Sequence, residues 1–275
     1  MVWLSNMKFD LHCHTKEGSI DARMCIRDYV VEYMKLGYDG MMIADHNSYR
    51  GCDAWDAIKE QPEFEGFTVI RGIEYDTKDA GHILVVMPDD MYLPLFRLRG
   101  MRLRKLIHVV HSCGGVLGIA HPFGAKGSSA MWFKLMDTAL IYDVDFIEIF
   151  NSCELPESNK LAKELAAIYG KQGTAGTDNH NGDYIGMATT VIDAEIHCNN
   201  DFIKAVKEKK IVSAEGTERE QPTKGKLKEH WSGVLAFKAY NRGTAKLISG
   251  LRKLEYYNLT RISSLAGRFK DKKFK

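Results

Sequence analysis

The feature that most constrains this chain is a repeated change of period. Short runs rich in Ile, Val and Met alternate with longer stretches in which apolar residues recur every three or four positions. The pattern predicts strands over 8–11, 40–44, 68–74, 83–87, 116–120, 145–150, 174–177 and 189–192. Helices are predicted over 25–36, 52–59, 98–113, 131–141, 157–169 and 201–208, most of them punctuated by Gly or Pro. Strand followed by helix this often implies a mainly parallel sheet, and seven or eight such units favour a closed (β/α) barrel over an open doubly wound sheet. With 275 residues, 45% of them hydrophobic, the chain is long enough for one large core of that kind. Neither GxGxxG nor GxxxxGK[ST] follows the first strand, so a nucleotide cradled by a helix start is not expected.

From about residue 214 the pattern changes. The stretch GTEREQPTKGKLKEHWSG reads as a polar linker, and 234–254 reads as one or two amphipathic helices. The expected organisation is a barrel domain over 1–213 and a linker with a basic helical extension over 214–275, packing on the barrel. Charge divides the same way: residues 221–275 carry 14 Lys and Arg against 3 Asp and Glu (net +11), and residues 1–220 carry 24 against 33 (net −9). An acidic body that handles phosphorylated substrates has to cancel charge locally, most simply with bound cations. The six cysteines are scattered with no CxxC pair and are expected to be reduced. No run approaches the ~18 apolar residues of a membrane helix, and MVWLSNMKFD is too short and polar for a signal peptide. A cytoplasmic protein with no membrane partner is the expectation.

The chemistry-bearing residues fall at strand ends. His12 and His14 are two apart at the end of the first strand, so a period of two sends both to one face and Cys13 to the other. Asp21 follows on the next loop, Asp45 and His46 end the second strand, and Glu74 ends the third. His82 precedes the fourth, His121 ends the fifth, and Asp178 and His180 follow the seventh. Barrel enzymes assemble their sites at the C-terminal ends of strands. Six imidazoles and three carboxylates around one mouth would leave polar groups unsatisfied, at ~1–3 kcal/mol each, unless cations bind them. The set suits two or three divalent ions of the Zn, Mn or Fe type, without choosing among them. Glu148 in IEIF reads as a hydrogen-bond partner of a ligating histidine. Lys16, Arg50, Lys126 and Asn151 lie near strand ends and are candidate phosphate contacts. His108 and His111 share a helix face with no third ligand, His197 and His230 are isolated, and Ser19 and Ser152 have no evident base.

FDLHCHT, IADHN, GIEY, GH, IAHP and GTDNH occur in the order and approximate spacing of the polymerase and histidinol phosphatase (PHP) family of metal-dependent phosphoesterases, which the chain resembles over roughly residues 8 to 192. The resemblance implies a distorted (β/α)₇ TIM-like barrel with a multinuclear metal centre at its C-terminal rim. It implies one metal site from His12, His14, Glu74 and Asp178, and a second, bridged by Glu74, from His82 and His121. Asp21, His46 and His180 would form a third. KEGSIDAR stands where histidinol phosphatases of the family usually carry a Cys and a His-Ala, which argues against histidinol phosphate. Of the 38 residues between His82 and His121, only MPDDMYLPLFRLRG is left to serve as a short lid.

The implied activity is hydrolysis of a phosphomonoester, on a nucleotide or another small phosphorylated metabolite. Attack would come from a metal-bridging hydroxide held at Glu74, with His46 or His180 stabilising the leaving group. The alternatives are an exonuclease acting on short RNA or DNA through the same centre and a non-catalytic metal-binding module.

Overall fold

A computed structural model describes residues 6–124, 128–132 and 138–219. Nine strands form one sheet in the order β7-β6-β5-β4-β3-β2-β1-β8-β9. In chain order they are β1 (Met7–Cys13), β2 (Gly40–Ile43), β3 (Thr68–Asp76), β4 (His82–Val86), β5 (Val116–Ile119), β6 (Phe146–Asn151), β7 (Gln172–Gly176), β8 (Ala188–Ile192) and β9 (Ile211–Gly216). Five helices accompany them: α1 (Ile26–Lys35), α2 (Arg50–Asp56), α3 (Leu103–Ser112), α4 (Pro156–Tyr169) and α5 (Asn199–Lys207). The sheet curls into a barrel, closed by a seam between β1 and the segment after β7. There Asp178 N donates to His12 O at 2.8 Å and His14 N to Asn179 O at 3.0 Å. Deeper in the seam the Thr190 side chain replaces a ladder partner: its Oγ1 accepts from Ala175 N at 2.8 Å and donates to Ala175 O at 3.0 Å.

All eight expected strands are present. The expectation of a mainly parallel sheet is corrected: β1-β2, β2-β3, β5-β6 and β6-β7 pair in parallel, and β3-β4, β4-β5, β1-β8 and β8-β9 are antiparallel. For β3-β4 the reason is connection length. Only residues 77–81 join β3 to β4, and a parallel return needs a dozen or more. The 98–113 helix starts late, at Leu103, because Pro94 begins a 3-10 turn and Gly100 turns the chain with φ +91°. Over 131–141 there is no α-helix among the described residues, only 3-10 turns at Ala130–Trp132 and Thr138–Asp143. Ala214–Gly216, expected to open the linker, instead belong to β9. The basic extension from residue 220 onward lies outside the described residues.

The core has two parts, as alternating side chains require. Phe9, Leu11, Met42, Ala44, Ile70, Leu84, Val86 and Phe146 fill the barrel with Phe202, Ile203 and Val206 of α5. Tyr29, Tyr33, Met41, Ile43, Ile73, Ile83, Val85, Leu106 and Leu117 form the layer between the sheet and its outer helices. Three register shifts interrupt the ladders, in β1, β6 and β8, and the first two serve the rim. In β1 the register shifts between Asp10 and Cys13, so Leu11 packs into the barrel core while Cys13 turns outward to Tyr33. The bulge lets an apolar run below and the His12/His14 pair above face the same interior. A second shift in β6, between Glu148 and Phe150, precedes Asn151. Among the described residues no helix is long and apolar enough to cross a membrane.

Candidate metal centre

The nine residues singled out from the sequence converge at one end of the barrel around Glu74. Its Oε1 lies 2.7 Å from His82 Nδ1, 2.8 Å from His121 Nε2 and 3.5 Å from His12 Nε2. Its Oε2 lies 2.9 Å from His46 Nδ1 and 3.5 Å from His14 Nε2. Asp178 Oδ1 is 3.2 Å from His14 Nε2, 3.8 Å from His12 Nε2 and 3.7 Å from His180 Nδ1. Asp21 Oδ2 stands 3.6 Å from His46 Nε2 and 3.5 Å from His180 Nε2. Asp21 reaches this position because its loop folds on itself, with Lys16 N donating to Met24 O, and is pinned by Arg23 N donating to His180 O at 2.7 Å. His121 and Asp178 hold positive φ (26° and 50°), as does Asn47 beside His46 (49°). Such backbone strain clusters at functional sites, where surrounding contacts over-determine it.

Five of the six imidazoles anchor one ring nitrogen on a group outside the ligand set and aim the other inward. His12 Nδ1 meets Glu148 Oε1 at 2.9 Å, in the role expected of Glu148. His14 Nδ1 meets Ser19 Oγ at 3.3 Å, and His121 Nδ1 meets Ser129 Oγ at 3.2 Å. His180 Nδ1 donates to the Asp178 carbonyl at 3.0 Å, and His82 Nε2 pairs with Asp76 Oδ1 at 2.7 Å. Outer partners of this kind fix tautomer and ring direction in metal-binding histidines. Asp76, in turn held by Arg99 Nη2 at 2.8 Å, was not foreseen. The signal was present, since the alternation that paired His12 with His14 also pairs Asp76 with Glu74.

The electrostatics describe a site of crowded, mutually compensating groups. His14 is pushed down to about 3 by burial and by His180 and His46 beside it. Burial acts against the charged form of His82, yet Glu74 and Asp76 raise it to about 9. His46 is raised well above the usual imidazole range by Glu74 and Asp21, against its burial. Glu74 is buried, but His82, His46 and His12 hold it well below the ordinary carboxylate range. Asp21 is likewise lowered, by His180 and His46, against the effect of burial.

The donor set fits divalent cations. Glu74 Oε2 is buried and makes no hydrogen bond although His46 Nδ1 is 2.9 Å away. Candidate ligand atoms gather within 4.8 Å of one another in four overlapping groups: His12, His14 and Glu74; His12, His121 and Asp178; His46, Glu74 and His82; and His14, His46 and His180. Imidazole nitrogen and carboxylate oxygen without thiolate suit Zn, Mn or Fe.

The four candidate phosphate contacts fare differently. Lys16 and Arg50 are exposed on the rim, and Lys126 lies outside the described residues. Asn151 is buried beneath the ligands: its Nδ2 donates to Glu148 Oε2 at 3.0 Å and to Asp178 Oδ2 at 3.4 Å. It therefore supports two carboxylates instead of facing the mouth, because its bulged strand turns it inward. His111, expected to share a helix face with His108 and no third ligand, pairs with Asp145 at 2.9 Å.

Barrel, bulges and cluster together define an α/β barrel with histidine and carboxylate groups gathered at one mouth in a donor set that fits divalent cations. Residues 156–211 match the family model described as PHP-associated, which spans α4 to the start of β9. Among solved structures the chain is similar to PsfC from Pseudomonas syringae PB-5123, at TM-score 0.62 and 16% identity over 81% of this chain and 96% of that one. It is similar also to a two-domain protein from Bacteroides vulgatus ATCC 8482 containing a predicted PHP-like metal-dependent phosphoesterase (TM-score 0.55, 19% identity, 76% of this chain and 64% of that one). A third is the lesion-specific endonuclease PfuEndoQ from Pyrococcus furiosus (TM-score 0.56, 17% identity, 76% of this chain and 58% of that one). No curated protein matches the chain. The barrel is of the PHP type, as the motifs implied.

Proposed function

We propose that this chain is a metal-dependent phosphoesterase that hydrolyses a phosphomonoester on a nucleotide or another small phosphorylated metabolite. The observation that carries this reading is the convergence of six imidazoles with Glu74 and Asp178 on one mouth, where Asp21 stands 3.6 Å from His46 and 3.5 Å from His180 and five of the rings are oriented by outer partners. His12, His14, Glu74 and Asp178 would hold one ion, Glu74, His82 and His121 a second, and Asp21, His46 and His180 a third. Divalent ions there would supply neutralisation of phosphoryl oxygens and acidify water near neutral pH. The protein's own part is to place them. Glu74 offers one oxygen to each side of the cluster, Glu148 and Ser19 fix His12 and His14, and Asp178 meets both of those rings. His46 and His180 are the half-open imidazoles of the set, and in the metal-free chain both are held above the usual range, so where no third ion occupies their site either can carry a proton near neutral pH.

The test is metal content and turnover measured together. Protein equilibrated with manganese and desalted should retain two or three ions per chain and hydrolyse some member of a panel of mononucleotides, sugar phosphates and short oligonucleotides. His14→Ala and Glu74→Ala should each lose metal affinity by more than about 100-fold, beyond what removing an outer partner costs, and lose turnover with it. Retained turnover in either variant sinks the assignment.

A second reading keeps the centre and changes the substrate to nucleic acid. The similarity to an endonuclease fold and the +11 charge of residues 221–275 favour it. Oligonucleotides in the panel separate the two readings.

A further inference from the structure

Asp45 is fully buried and lies against no candidate ligand atom, yet every oxygen it has is used. Oδ1 accepts from Thr15 N at 2.7 Å and Ser19 Oγ at 2.9 Å, and Oδ2 accepts from Thr15 Oγ1 at 2.8 Å. Ser19 has one hydroxyl proton, and Asp45 takes it. The Ser19 oxygen is therefore left to accept, from His46 N at 3.1 Å and from His14 Nδ1 at 3.3 Å. A proton on His14 Nδ1 leaves the Nε2 lone pair free, and Nε2 is the atom that faces Asp178 and Glu74. Two glycines flank the carboxylate. A Cβ on Gly18 would lie 1.9 Å from Asp45 Oδ2, and one on Gly51 would lie 2.3 Å from the same atom. Thr15, Gly18 and Ser19 belong to the loop that carries Asp21, so one buried carboxylate holds that loop, the His46 backbone and the tautomer of His14.

We infer that Asp45, acting through Ser19, is the positioning residue of the outermost metal subsite, the one formed by Asp21, His46 and His180. This rests on the metal-centre reading above. Among the inner ligands His12, His82 and His121 have other supports, Glu148, Asp76 and Ser129, and only His14 shares Ser19 with the outer subsite. The outer three depend on the 15–24 loop and are more open, at 53% side-chain exposure for Asp21 and 27% for His46, against 0% for His12 and 1% for Glu74. Loss of the Asp45–Ser19 link unpins the outer subsite, frees the His14 ring to change tautomer, and leaves the site of His82 and His121 in place.

The experiment is manganese binding to the full chain, reading free ion by electron paramagnetic resonance, for the unaltered protein and for Ser19→Ala, Gly18→Ala and Asp45→Asn. Ser19→Ala removes the link with the smallest loss of packing. Gly18→Ala removes no polar group and acts only by displacing the Asp45 carboxylate, which makes it an independent route to the same state. Ile20→Ala, on the same loop but 98% exposed, is the control. In Ser19→Ala and Gly18→Ala the weakest class of sites should lose affinity by about 10- to 100-fold, and the class that His14 serves should weaken with it, while the class held by His82 and His121 stays within twofold. A merely structural role would weaken all classes together, and that result overturns the proposal. So does unchanged binding in both variants, or an unaltered protein that takes up only two ions at millimolar manganese. An unaltered protein that binds no ion at all sinks the metal-centre reading itself.

Discussion

His14 and His82 show how one site pushes identical side chains in opposite directions. His14 is closed in among other imidazoles and kept neutral down to about 3, whereas His82 lies between two carboxylates and stays protonated up to about 9. The signs decide how the metal-free chain responds to pH. A lowered histidine destabilises the fold on the acid side, because the unfolded chain takes up a proton below about 6.5 that the folded chain refuses. A raised histidine contributes stability that is complete below about 6.5 and lost as pH rises through about 9, a span equivalent to about 3 kcal/mol for a group this buried. Chelator-treated protein should therefore be most stable near pH 6.5 and lose thermal stability toward pH 9.5. The manganese-loaded protein should not show that alkaline loss, since bound ions have already displaced the proton from His82. Scanning calorimetry across pH with and without manganese checks this, and parallel curves refute it. At this scale the clustering of imidazoles and carboxylates at one mouth was legible in the sequence, because HxH, DH and DNH state their chemistry in adjacent letters. Asn151 was misread for a physical reason: a strand end says nothing about burial, and the β6 bulge that turns it inward has no letter of its own.

Among elements, what could be read depended on how much of each is buried. Of the eight expected strands, β2, β4 and β5 are buried at every position and β1, β3 and β6 at all but one, whereas β7 and β8 are partly open. β9 was missed because IVSAEG is polar and half open, paired only along β8. Strand direction was less legible than strand existence, since periodicity carries no information about the neighbour. The β-bulge of β1 was invisible for the same reason, although it lets one strand supply apolar residues to the core and histidines to the rim. Among the described helices α5 is the one that packs into the barrel interior. Phe202 is fully buried and meets Phe146 edge-on at 6.5 Å between ring centroids, and Phe146 itself lies flat on Gly118, where a Cβ would come within 2.1 Å. Phe202→Ala should cost about 3–5 kcal/mol in urea unfolding of the metal-loaded protein, while the metal count of whatever remains folded stays unchanged. A loss under 1 kcal/mol would mean that α5 does not close the core as described.

For the molecule as a whole, an acidic body joined to a basic extension bears on the choice between the two substrate readings. If the extension follows a nucleic-acid backbone, oligonucleotide binding should weaken steeply with salt and disappear on truncation near Pro222, measured by fluorescence anisotropy between 50 and 200 mM salt at roughly the slope expected for several phosphate contacts. Salt-independent binding, or binding that survives truncation, leaves small phosphorylated metabolites as the substrates. The seam has a further implication. His12 and Asp178 stand 166 positions apart in the chain, share the hydrogen bond that closes the barrel, and belong to the same proposed ion site. An ion bound by both would join the two ends of the curled sheet much as a clasp joins a bracelet, restricting the unfolded chain as a long-range cross-link does. Reactivity and mechanical integrity would then rest on the same few side chains, so that substitutions able to silence the chemistry would also loosen the barrel.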